Sequence, residues 1–108
     1  MKADDFPRDP YAWVTNQCGH MVIGIAAAVL CAALGLWFPI PLLIAAVYWV
    51  VAEYVLQRSA LFLDGLTDTG FVAAGATLPA AMNLGDWWAV GLCVAVGVAL
   101  GIGAKVRA

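Results

Sequence analysis

From Met21 to Val51 the chain carries no Asp, Glu, Lys or Arg. A helix that crosses the roughly 30 Å hydrocarbon core of a bilayer needs about 20 mostly apolar residues, so this stretch holds one span and most of a second. Charged residues make up 11% of the 108-residue chain and hydrophobic residues 65%. An ordinary soluble domain has a charged share of about 25%. The mean hydropathy is +0.94. Such a chain has too little polar surface to stay in water as a small monomer. The expected fold class is all-α: a polytopic membrane helix bundle forming a single domain over residues 1–108.

The charges fix the number of spans. Asp9-Pro10 reads as a helix start, with Asp as N-cap and Pro in the first helical position. Residues 1–17 form a cytoplasmic or interfacial segment, too acidic for a signal peptide. The first apolar run is therefore expected to be retained as a span over about 18–38, stopped by Pro39 and Pro41. Further spans are expected at about 42–58, 69–84 and 87–104. Cytoplasmic loops collect Lys and Arg. Four spans put all five basic residues, Lys2, Arg8, Arg58, Lys105 and Arg107, on one side of the membrane. Three spans would translocate a basic end. Four transmembrane helices with both termini cytoplasmic follow, in a multi-pass protein of the cell (inner) membrane. Trp37-Phe38 and Trp87-Trp88 then form an outer aromatic belt, and Tyr11 and Trp13 mark the inner interface.

Against this background the stretch EYVLQRSALFLDGLTDTG stands out. Glu53 and Gln57 share a helix face at i, i+4, as do Asp64 and Asp68 if the third helix starts early. If it starts late, Asp68 is its N-cap and Asp64 belongs to a turn. On the first helix Asn16 and His20 form another i, i+4 pair, with Gly24 continuing their face. Three helices thus place polar groups at one cytoplasmic depth, and Arg58 or a protonated His20 can partner Glu53. Carboxylates near the hydrocarbon are costly and turn toward a bundle interior. His20, Glu53, Asp64 and Asp68 are candidate hard ligands for a divalent cation. The sequence shows no HExxH, GxSxG or cationic phosphate clamp, so it indicates no catalysis and names no cofactor. Asp86 is expected to cap the fourth span. Cys18, Cys31 and Cys93 lack a CxxC spacing and read as buried or lipid-facing small residues. There is no basic patch for nucleic acid.

The order of these groups, with GHMVIGIAAA, EYVLQ and LDGLTDTGFVAAGA as the matching stretches over about residues 17–80, resembles the VanZ-like family of small polytopic membrane proteins. The Glu–Gln spacing is one residue longer than in that family, the family's Arg before the aspartates is absent, with Arg58 immediately after Gln57 instead, and Phe71 or Val72 stands where the family has Asn. The resemblance implies a role in the cell envelope, with His20, Glu53, Gln57, Asp68 and Asp64 as the family-type polar residues.

Three functional classes fit the sequence. One is an envelope protein whose polar cluster (His20, Glu53, Gln57, Asp64, Asp68, Asn16, Arg58) binds a lipid headgroup or a cation. A second is a phage-type holin. The third is an accessory subunit of a larger membrane complex. The Gly97-Val-Ala-Leu-Gly101 motif on the fourth helix offers a face for a homo-oligomer or a larger complex. Membrane lipids are the remaining expected partners.

Overall fold

The computed structural model describes residues 8–51 and 62–108, and from residue 65 onward the side chains of the second segment. All regular structure among the described residues is helical: α1 (Pro10–Ala33), α2 (Ile40–Val50), α3 (Phe62–Leu84) and α4 (Asp86–Arg107). Two of them, α1 and α4, are long and apolar enough to cross a membrane. At ~1.5 Å per residue, the 24 residues of α1 extend about 36 Å.

The start of α1 is as the sequence predicts. The Asp9 carboxylate accepts from the Ala12 N–H at 2.9 Å, and Pro10 occupies the first turn. Its end is earlier than expected, at Ala33 instead of Phe38. Gly35, at φ +76°, reverses the chain. The Leu36 N–H reaches back to the Cys31 carbonyl at 2.8 Å and the Gly35 N–H to Ala32 at 3.0 Å. These paired bonds form a Schellman termination, which favours glycine because it needs a left-handed residue. Glycine, not proline, ends this helix.

The next correction concerns α3. Asp68 is neither a cap nor part of a loop, because the helix already runs from Phe62. Asp64 is therefore helical and not in a turn, and its side chain lies outside the described residues. Pro79 sits inside α3 without ending it. Gly85 is the N-cap residue of α4, so Asp86 opens the first turn instead of capping it. A carboxylate there still faces the positive end of the helix dipole.

The helices alternate in direction. Trp49 near the end of α2 meets His20 of α1, and the Arg107 guanidinium at the end of α4 lies 4.2 Å over the Trp13 ring near the start of α1. The described core is small: Ala45, Trp49, Val72 and Ala76, with Ile23, Ala27 and Leu42 packed against it. Trp13 is buried against Phe71, edge to face at 6.0 Å, and is thus a core residue instead of an interfacial marker. Tyr11 is exposed.

The closest helix approach is between α1 and α3. A methyl group added at Gly24 would run into the Val72 carbonyl oxygen and come within 2.7 Å of the Ala76 nitrogen. One added at Gly75 would collide with the Met21 carbonyl. Glycines on both helices therefore let the two backbones touch, the small-residue packing that substitutes for a hydrophobic driving force in lipid. By contrast, substituents at Gly97 and Gly101 would meet open space among the described residues. Gly24→Ala should lower stability by at least the ~1–3 kcal/mol typical of overpacking, because backbone and not a flexible side chain must move. Gly97→Ala should stay within about 0.5 kcal/mol of wild type. Denaturant titration in micelles checks both; equal effects would refute the crossing.

Candidate functional site

The buried residues of α1 are Trp13, Gln17, His20, Gly24, Ala28 and Cys31. They follow one another in steps of three or four, the spacing of one helix face. That face turns two polar side chains toward α3. Gln17 is 0% exposed, His20 6%, and Asp68, from the facing side of α3, 2%.

The three are joined. Gln17 Nε2 donates to Asp68 Oδ1 at 2.8 Å. Its Oε1 lies 3.2 Å from His20 Nδ1, which is also 3.5 Å from Asp68 Oδ1. Asp68 decides which way the Gln17 amide points, since the reverse orientation would set an amide oxygen against a carboxylate oxygen. Beside Gln17 Oε1 and an ionised Asp68, which both accept, His20 Nδ1 is placed to donate. The remaining freedom is at Nε2, which makes the imidazole either neutral or cationic. Trp49 closes the site from α2, with ring centroids 4.3 Å apart and an interplanar angle of 73°.

A carboxylate inside an apolar bundle is costly unless partnered. Here Gln17 and His20 supply the partners. Such a set can hold a proton between imidazole and carboxylate, or present a negative charge to a cationic group. The indole N–H groups of Trp13 and Trp49 are also buried, and neither has an acceptor among the described residues. Neighbouring hydroxyls are already used: Thr69 donates to the Gly65 carbonyl at 2.7 Å and Thr15 to Tyr11 at 2.9 Å.

Of the expected cluster, the structure brings together His20 and Asp68. Glu53, Gln57 and Arg58 lie outside the described residues, as does the side chain of Asp64. Asn16 is half-buried, one residue off the buried face. Its place is taken by Gln17, which the i, i+4 pairing of Asn16 with His20 had obscured. The signal for Gln17 was its spacing of three from His20 and four from Trp13. Among the described residues no three metal-ligating side chains converge. Arg107 was expected only as part of a basic tail. It donates to the Gly103 carbonyl at 2.9 Å and packs on Trp13, tying the end of α4 to the start of α1.

Comparison of the chain with protein-family models, with curated proteins and with solved structures returns no match.

The geometry makes Gln17 structurally necessary. Gln17→Leu removes one donor from Asp68 and should cost about 1.5–3 kcal/mol, the scale of a hydrogen bond to a charged group. Gln17→Glu should cost more by setting carboxylate against carboxylate. Unfolding titrations in detergent check this, and a Gln17→Glu variant as stable as wild type would contradict the bond.

Proposed function

We propose that this chain is a multi-pass protein of the cell membrane with four spans and cytoplasmic termini, in which the Gln17–His20–Asp68 set binds a positively charged group. That group is the amine of a lipid headgroup or a small cation, in a cell-envelope role of the VanZ-like kind. One observation carries the reading: a carboxylate 2% exposed, held by an amide and an imidazole, inside a bundle whose surroundings are apolar. Ionisable groups in membrane helices are expensive, and those that occur mark ligand or ion pathways. The buried indole N–H groups of Trp13 and Trp49 add donors suited to the oxygen atoms that accompany a headgroup amine. The alternating helix directions and the single-sided basic residues support the four-span arrangement.

A second reading, an accessory subunit or homo-oligomer, is favoured by α4. All its residues are exposed or half-buried, and Val90, Val94, Val98 and Ile102 form an outward stripe beside Gly97 and Gly101. A phage-type holin gains nothing from a buried His–Gln–Asp set.

Thermal unfolding of the purified protein, with and without added ligand, tests the first reading. A ligand present at about 100 times its Kd stabilises by about 2.7 kcal/mol. Phosphatidylethanolamine should raise the unfolding temperature if the group is a headgroup amine, and sodium or magnesium chloride if it is a free cation. Asp68→Asn should abolish the rise while the protein still inserts in membranes. Equal responses of wild type and Asp68→Asn would remove the proposal.

A further inference from the structure

Beyond the polar set, α1, α3, α4, Pro41 of α2 and the connection after α1 line a half-open cavity of about 820 Å³. Its size falls within the roughly 300–1,000 Å³ of ligand pockets. It begins about 12 Å along α1 and α3 from the polar set, judged from the eight-residue steps His20 to Ala28 and Asp68 to Ala76 at ~1.5 Å each. The floor is small and buried: Ala28, Ala76 and Ala81, each under 10% exposed. The rim is large and open, with Trp87 85% and Trp88 68% exposed, and Trp37 beside them.

We infer that this cavity is a binding site for one hydrocarbon chain of a membrane lipid, whose polar end rests among Trp37, Trp87, Trp88 and Asn83. The polarity gradient selects this occupant. Trp rings settle where headgroups meet hydrocarbon, with the N–H toward the wet side. Asn83, exposed at the same end, adds an amide. Thr77, deeper on the wall, keeps its hydroxyl on its own helix, donating to the Ala73 carbonyl at 2.7 Å. The inner surface thus offers carbon, and the rim sets indole N–H groups and the Asn83 amide among exposed Phe38 and Leu84, which matches an amphiphile whose chain meets its polar end there. The inference rests on the membrane location proposed above, but not on the polar set.

The test uses the full chain reconstituted in vesicles of phosphatidylethanolamine and phosphatidylglycerol, then extracted in mild detergent and assayed by native mass spectrometry. Wild type should retain one phospholipid per chain. Gly91 lines the cavity on α4, and a substituent there meets open space, so Gly91→Leu fills the site without threatening the fold. It should lower retention about tenfold, equivalent to ~1.4 kcal/mol. Ala80→Phe, filling the cavity from α3, should do the same. Gly97→Leu, on α4 but away from the cavity, should retain lipid as wild type does. Loss of lipid from Gly91→Leu and Gly97→Leu alike overturns the inference, as does a wild type that carries no phospholipid or a Gly91→Leu variant that breaks an oligomer instead. Alkaline carbonate extraction separates the two levels. A chain washed off the membrane sinks the membrane reading as well, whereas one that stays but binds no lipid sinks only the chain site.

Discussion

The contact between α1 and α3 governs the rest of the molecule. In the membrane location proposed above, two apolar helices gain little by hiding from one another, because the hydrocarbon is as apolar as their side chains. They associate through close packing and hydrogen bonds. Gly24 and Gly75 let the backbones meet, and the Gln17–Asp68 bond lies just below that crossing. The two features support each other. A wider separation would pull the 2.8 Å bond apart and take a donor from a buried carboxylate. A missing bond would remove the polar reason for this register. Trp49 of α2 then packs on His20, and Arg107 and Gly103 of α4 pack on Trp13, so both outer helices dock on the pair.

Much of this was legible in the sequence for physical reasons. A charge-free run as long as Met21–Val51 leaves few options besides membrane-type helices, and Asp9-Pro10 is a helix start with a mechanism. His20 and Asp68 were recognisable because ionisable residues are rare in such a chain and costly to bury. The misses share a cause. The end of α1 was assigned to Pro39 and Pro41, although Gly35 supplies the left-handed residue a Schellman turn requires. Asp68 was offered as a cap because Asp-Thr-Gly suits one, and local propensity says nothing about a partner 51 positions away. Asn16 lies four residues from His20, but the buried face reaches His20 by a step of three from Gln17. Trp13 was set at the interface by its type, whereas Phe71 and Arg107 cover it.

The bundle is polar at one level and greasy at another. Near the chain ends, three buried polar side chains share two hydrogen atoms between an amide, an imidazole and a carboxylate. Toward the opposite end, alanines and aromatic rings line a half-open cavity of about 820 Å³. Both features depend on the α1–α3 pair, which contributes Gln17, His20 and Asp68 to the first and Ala28, Ala76 and Ala81 to the second.

His20 is the only histidine in the chain, so its ring nitrogens can be followed without assignment. Imidazole nitrogen-15 spectra of the protein in lipid bilayers, compared between wild type and Asp68→Asn, test the central claim most directly. The account predicts an Nδ1 proton that exchanges slowly with water and nitrogen shifts that move when the carboxylate becomes an amide. A rapidly exchanging ring whose spectrum ignores Asp68→Asn would contradict it.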